Sequence, residues 1–523
     1  MRGLKRRGFL GGFGGGLAGS LGLSKLFSPG RARAESLTYT GALNDNTPNP
    51  NDVKVNLKFV YPSLIHSEAW EGPCRPSAGL SGDDERTAHR ADLTSFFDTL
   101  KQEISPDANL LKPALVEYVF AHKAFKKNEQ EFSKLLADRD EVDVYLLTTG
   151  TAAQLLAATI GSRFNKPVVM MSTGLQSIDA SAYLRARGFE GYAVLDYGEL
   201  NKLVRYLKTR KVLRQTNMLI VTNIPMPGNS DISSIWDFDD LNARYGIGAT
   251  IINYDLLTEE MQRVMTSTDE QKRARQLTDI LVNKAQGVYI DKKYIYSCAQ
   301  FYYTIKNLMA RYNCNAFTIE CWEFCTSRLP QEWKIVPCLA HSLLKDEGFS
   351  SACQGDVSVM LAIRILQTLS NKSTFMGNQF MDMDTGLCKI GHSVPGLKMN
   401  GYNQPDLPFT LRNFCESGWG AKVMVNFSET NKEKVVTLLN IDPLARKLMV
   451  ARADLVKTVG YDDTTDRALI GCSLQAHLRL RDYRDFMYRQ QDFGTHVAMA
   501  YGDYVEDVKK FGDVMGMEVV DCS

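Results

Sequence analysis

LKDEGFSSACQGDVSVMLAIRILQTLS, residues 344–370, sets Asp346, Glu347, Gln354 and Asp356 ahead of a strongly apolar run. Positions 357, 359, 360, 361, 363, 365 and 366 are apolar at helical spacing, which predicts a buried helix. Asp356 falls at or near the N-cap of that helix. A carboxylate there accepts backbone N–H groups, and the helix dipole favours its ionised form. Two readings stay open for the residue. It is a cap, stabilising by about 1 kcal/mol, or an oriented ligand for a divalent cation at the end of a parallel-sheet unit.

Upstream of this stretch, strand-like and helix-like segments alternate. VNLKFVYP, VDVYLLTTGT, PVVMMST and GYAVLDY read as strands, and AAQLLAATIGSRF, SAYLRARG and ELNKLVRYLKTRKVL as the helices between or after them. NMLIVTN, GATIINY and AFTIECW continue the series. These strands are apolar almost throughout rather than at every second residue, the pattern of a parallel sheet covered by helices. From about residue 374 short strands with closely spaced turn signals take over, which predicts an antiparallel barrel or sandwich. The expected fold is therefore α/β, with two Rossmann-like parallel-sheet lobes followed by a β-rich, barrel-like C-terminal domain. The expected boundaries are 1–34 for a leader, 35–205 and 206–373 for the two lobes, and 374–523 for the last domain.

A chain of 523 residues is too long for one ordinary core. Its 44% hydrophobic and 23% charged residues are usual for a globular protein. The formal charge of +1 conceals an asymmetry. Residues 1–34 hold seven of the 61 basic side chains and no acid, leaving 54 bases against 60 acids, a net of −6. A mildly acidic body recommends neither nucleic acid nor an anionic membrane as partner. The leader itself, MRGLKRRGFLGGFGGGLAGSLGLSKLFSPGRARAES, pairs Arg6 with Arg7 before a glycine-rich apolar stretch and Ala32-Arg33-Ala34. It resembles a twin-arginine export signal cleaved after Ala34. Eight of the sixteen residues from Gly8 to Leu23 are glycine, too helix-poor for a stable span. The expectation is a folded protein exported by the Tat translocase to the periplasm or beyond, with no membrane contact once mature.

Eleven cysteines show no CxxC pair and no small-domain framework, so they read as buried free thiols rather than a zinc site. TIECWEFC adds Glu320 and Glu323. If its strand runs to Trp322, Glu320 and Trp322 share one face and Glu323 lies just beyond the end, where ligands collect in α/β sheets. Of the seven histidines, His66 follows a strand and could line a cleft. His89 and His122 read as surface residues, and His341 as a satisfied core or near-core residue. His392 ends the strand LCKIGHSVP, His477 alternates within a strand, and His496 lies between a loop and a short apolar strand.

PCLAHSLLKDEGFSSACQGDVSVMLAIRILQTLSNKSTFMGN, then CKIGHSVPG, then FGTHVAMAYGDY resembles the L-fucose/L-arabinose isomerase family over about residues 314–510. That family carries a Pro-Cys segment, an Asp-Glu-Gly turn, an Ala-Cys-Glu-x-Asp motif and a late histidine in this order. The resemblance implies a divalent metal, usually manganese, in a cleft between lobes, held by Glu323 (with Glu320 as the alternative), Asp356 and His496. It implies catalysis by Glu323 and Asp356, which shuttle protons while the metal stabilises an enediolate. His392, Glu320, Gln354 and His66 are the expected sugar-binding residues. A homo-oligomer acting on a small sugar follows from the same likeness. This sequence departs from the pattern at Gln354, where the motif has Glu, and at the Gly-Thr-His context of His496. Those departures motivate two alternatives: an exported sugar-binding protein without catalysis, or a metal-dependent epimerase or lyase.

Overall fold

The computed structural model describes residues 51, 53–66, 82–120, 124–148, 151–172, 174–224, 231–461 and 470–523. The export signal, its cleavage point and His122 lie outside the described residues.

The apolar strands do assemble side by side and parallel. β1 (Val55–His66), β2 (Ala108–Leu110), β3 (Ala114–Phe120), β4 (Val144–Leu147), β5 (Val168–Met171) and β6 (Gly191–Val194) form one sheet. Its order is β2-β1-β4-β5-β6. β1 is long enough to take two partners on one edge. Its first half pairs with β2 from Val55↔Ala108, and its second half with β3 from Val60↔Ala114.

A second parallel sheet joins β7 (Asn217–Val221) and β8 (Gly248–Ile252) to β10 (Ala316–Ile319) and β11 (Ser350–Ala352) in the order β11-β10-β7-β8. The intervening β9 (Gly287–Tyr289) leaves this sheet. It pairs instead with β14 (Phe409–Asn413), which is antiparallel to β15 (Ala421–Val425). GAKVMVNFSE, expected among the barrel strands, therefore belongs to this small separate sheet.

The last region closes on itself. β12 (Phe375–Asp382) and β13 (Leu387–His392) form a hairpin. They join β16 (Val435–Ile441), β17 (Lys447–Val459), β18 (Leu474–Leu480) and β19 (His496–Tyr501) in an antiparallel circuit. The circuit runs β16-β19-β12-β13-β18-β17 and returns to β16 through the pairing Val435↔Asp454 to Ile441↔Leu448. Closure leaves the six strands no free edge. A short strand, β20 (Glu518–Asp521), adds parallel to β17. The structure is thus α/β with parallel sheets and a closed antiparallel six-strand barrel. Among the described residues, no helix is long and apolar enough to cross a membrane.

The apolar run of residues 357–370 is the helix Val357–Ser370, and every side chain from Val357 to Leu369 is buried. It packs against the helix Tyr197–Arg214 and against β11, β16 and β19, so it ties the second sheet to the barrel. A helix buried all round needs its polar members satisfied. Arg364, fully buried, donates to Asn51 Oδ1 (3.1 Å), the Gly348 carbonyl (3.0 Å) and the Asn315 carbonyl. Asn371, left-handed at φ 53°, ends the helix. The acids before it tie down neighbouring segments. Asp346 Oδ1 accepts the backbone N–H groups of Leu397 (2.7 Å) and Lys398 (3.0 Å), and Glu347 takes Lys306 and the Tyr302 hydroxyl.

Candidate metal centre

β7, β10 and β11 run parallel in neighbouring positions, so the segments that leave their carboxyl ends emerge along one edge. That edge is where an α/β sheet gathers ligands. Three segments arrive there. After β10, the chain turns at once: Glu320 caps the helix Cys321–Thr326, its Oε2 accepting the N–H of Glu323 at 2.9 Å. The strand stops at Ile319, which corrects the expectation of a strand running to Trp322. The capping carboxylate is the physical reason, since it satisfies a helix donor that a longer strand would leave elsewhere. After β11, Gln354 and Gly355 both adopt left-handed backbone, φ 64° and 71°. Such a conformation is uncommon for a non-glycine residue and often marks a functional turn. The turn aims Asp356 inward, with its Oδ1 capping the buried helix through Val359 N–H (3.1 Å). Beyond β7, a polar segment delivers Asp231.

The barrel supplies the fourth contributor. His496 opens β19 opposite Asn378 of β12. Its Nδ1 lies 2.9 Å from Asp356 Oδ2 and 3.1 Å from Asp231 Oδ2. Asp231, Asp356 and His496 are 3%, 2% and 0% exposed. Each presents a ligand atom within 4.8 Å of the others, so this buried trio could hold a metal ion. Two hard carboxylate oxygens with one imidazole suit a divalent cation rather than a soft one.

The surroundings orient every member. Asp231 Oδ1 accepts from Ser233 Oγ (2.7 Å), and its Oδ2 from Thr495 Oγ1 (3.2 Å). Ser234 Oγ takes the Val357 N–H (2.8 Å) and donates to the Gly355 carbonyl (3.3 Å), bracing the Asp356 turn. Gln354 Oε1 lies 2.8 Å from His496 Nε2 and 3.3 Å from His392 Nε2. His496 therefore faces acceptors on both nitrogens, and without a cation it is a doubly protonated imidazolium. Burial opposes that charge, but hydrogen bonds to Asp231 and Asp356 outweigh it and raise the pKa to about 9. Burial pushes Asp356 up to about 6, with the Asp231 charge adding and the His496 contact subtracting. Asp231 goes the other way. Burial resists its ionisation, yet hydrogen bonds from His496, Asp356 and Ser233 hold it below the ordinary carboxylate range. A cation at the Nδ1 position would replace one proton and leave Nε2–H on Gln354, the arrangement metal-bound imidazoles commonly use.

His392 stands beside this group, its ring centroid 5.9 Å from that of His496. Burial first, and then the His496 charge, keep it neutral. Its Nδ1 faces the Cys472 thiol at 3.8 Å.

Of the residues expected from the sequence, Asp356 and His496 meet, and Gln354 and His392 join them. The third member of the trio is Asp231 rather than Glu323. The Glu323 carboxylate accepts from Thr222 Oγ1 (2.7 Å), the Asn223 N–H (2.9 and 3.1 Å) and the Tyr254 hydroxyl (3.3 Å), clamping the end of β7 to the helix after β10. Glu320, 1% exposed, lies against the turn: a Cβ at Gly355 would sit 3.6 Å from its Cγ. The His66 imidazole and its backbone N–H both engage Glu85, each at 2.7 Å. Asp231 was accessible in principle. SDISSIWDFDDLNARY is a polar stretch after an apolar strand, but it offers four aspartates with nothing local to separate them. The ten described cysteines are free. No protein-family model matches this chain, and no curated protein matches it.

Proposed function

We propose that this chain is a divalent-metal-dependent aldose–ketose isomerase of the L-fucose/L-arabinose isomerase type. The carrying observation is the convergence of Asp231, Asp356 and His496, from two strand-end segments and the barrel, in one buried cation-sized group. The two parallel sheets are read as Rossmann-like lobes. The first supports this with the order β3-β1-β4-β5-β6, the 2-1-3-4-5 sequence of flavodoxin-like doubly wound sheets. Manganese is the proposed ion, a homo-oligomer the proposed assembly, and export through the Tat translocase the proposed route outside the cytoplasm.

A bound divalent cation would supply Lewis-acid polarisation of adjacent oxygens on an open-chain sugar. The chain's own residues do the rest. Asp231 and Asp356 would hold the ion with His496, and Gln354 would fix the His496 ring through its Nε2 so that Nδ1 is free to join them. Asp356, held in place by the Val359 N–H, is the carboxylate proposed to transfer the proton between C2 and C1. Neutral His392 offers a hydrogen bond beside the group without adding a competing charge.

The test is to supply the purified protein with Mn²⁺, incubate it with aldoses in D₂O, and follow ketose formation and C2 deuteration by NMR. Turnover of at least one sugar, lost on EDTA treatment, is expected. No metal bound and no turnover of any pentose, hexose or 6-deoxyhexose defeats the reading. A second reading, a sugar-binding protein without catalysis, is motivated by Gln354 in place of Glu. Sugar binding that survives EDTA without isomerisation supports it.

A further inference from the structure

The geometry points to Cys321 and Cys353 as an oxidisable pair whose disulfide latches together the two strand-end segments that carry Glu320 and Asp356. Their Sγ atoms lie 2.9 Å apart. Thiol sulfurs in ordinary contact sit further apart than this, and a disulfide needs about 2.0 Å, so closing the bond asks for a shift of about 1 Å. The two positions are set by the sheet: Thr318 pairs with Ala352 across β10 and β11, and both cysteines follow just beyond that pair. Cys353 immediately precedes the left-handed Gln354-Gly355 turn, and Cys321 immediately follows Glu320. A covalent link here spans the base of the turn that presents Asp356.

Accessibility is unequal in a useful way. Cys321 is partly exposed, whereas Cys353 is 4% exposed. An external reagent therefore meets Cys321 first. Its thiolate attacks one sulfur of a low-molecular-weight disulfide, RSSR, forming a Cys321–S–S–R bond and expelling RS⁻. The Cys353 thiolate then attacks the Cys321 sulfur, forming the Cys321–Cys353 bond and expelling the second RS⁻. The two thiol protons end on the two RS⁻ groups. The protein loses two hydrogens and two electrons, and RSSR is reduced to two RSH. The inference does not require the trio to hold a metal.

Oxidised glutathione added to the reduced, full-length folded protein tests it. Intact-mass and peptide analysis should show a protein lighter by two hydrogens with a Cys321–Cys353 cross-link. Cys353→Ser should instead stop at a glutathione adduct on Cys321, and Cys321→Ser should leave Cys353 unmodified. In the oxidised wild type, amide exchange over residues 353–356 should slow at least tenfold, and the melting temperature should rise by several degrees, both reversed by a reducing thiol. Cysteines 321 and 353 that both stay fully alkylatable when the oxidant is removed and the protein is then denatured, a cross-link to Cys472 or Cys338 instead, or a cross-link that leaves exchange over 353–356 unchanged would each overturn it.

Discussion

Replacing Asp231 by Asn tests the site where structure and sequence diverge most. Two carboxylates lift His496 from its ordinary 6.5 to about 9 against the effect of burial. That rise corresponds to about 3 kcal/mol favouring the imidazolium. With Asp231 neutral, one carboxylate remains to oppose burial, and the pKa of the ring should fall. The consequence for a cation is larger. A unit charge about 4 Å from a divalent ion, at an effective dielectric constant near 20, contributes about 8 kcal/mol. Relief of the buried carboxylate's desolvation offsets part of this. Losses on breaking buried charge pairs run about 3–5 kcal/mol, so about 4 kcal/mol is the working figure, close to a thousandfold in Kd. Calorimetric titration with Mn²⁺ at pH 7 reads it directly. The control is Glu323→Gln, which keeps the trio intact and should change Kd by less than about threefold, while lowering stability by about 1–3 kcal/mol through weakened bonds to Thr222, Asn223 and Tyr254. Binding by Asp231→Asn within tenfold of wild type, or an equal loss in Glu323→Gln, refutes the assignment.

Three further outcomes follow from the same geometry. Gln354→Ala removes the acceptor that holds His496 Nε2–H and should weaken Mn²⁺ binding about 10–100-fold; unchanged affinity would show that Gln354 does not orient the ring. Metal at His496 Nδ1 must displace a proton, so Mn²⁺ affinity should rise about tenfold per pH unit from 7 toward 9; a flat profile by calorimetry excludes that nitrogen as ligand. In the metal-free protein the raised pKa acts with the opposite sense: its stabilisation is complete below pH 6.5 and is lost as pH climbs through 9. His341 provides a separate acid effect. Burial, and then the Lys345 charge, depress it to about 3; Nδ1 meets Ser351 Oγ at 2.8 Å and the ring stacks on Phe317. Its contribution is present above pH 6.5 and is lost as pH falls toward 3, at about 1.4 kcal/mol per pH unit. Denaturant unfolding at pH 6.5 and 5 should show wild type losing about 2 kcal/mol more than His341→Gln, and equal losses would place the acid sensitivity elsewhere.

The pattern along the chain decided a good deal. Strands apolar almost throughout, such as VNLKFVYP and NMLIVTN, suit burial on both faces, the pattern of parallel sheets under helices, and the sheets are parallel. VSVMLAIRILQTLS read as a buried helix, and the aspartate directly before it as its cap or a cation ligand; in the structure Asp356 is both the cap and a member of the trio. Turn signals after residue 374 implied an antiparallel β region, because hairpins need tight turns where parallel strands need crossovers. Tertiary structure decided the rest. Glu320 and Glu323 looked equivalent at a strand end, but one capping bond ends the strand at Ile319 and turns Glu323 toward Thr222 and Tyr254. Asp231 reaches His496 across 265 positions. Register and sheet order set such a meeting, and no local pattern encodes it. Sequence periodicity reports which face of an element is buried; which buried faces meet is set by the packing of whole sheets, and a cation site of three side chains exists only at that level.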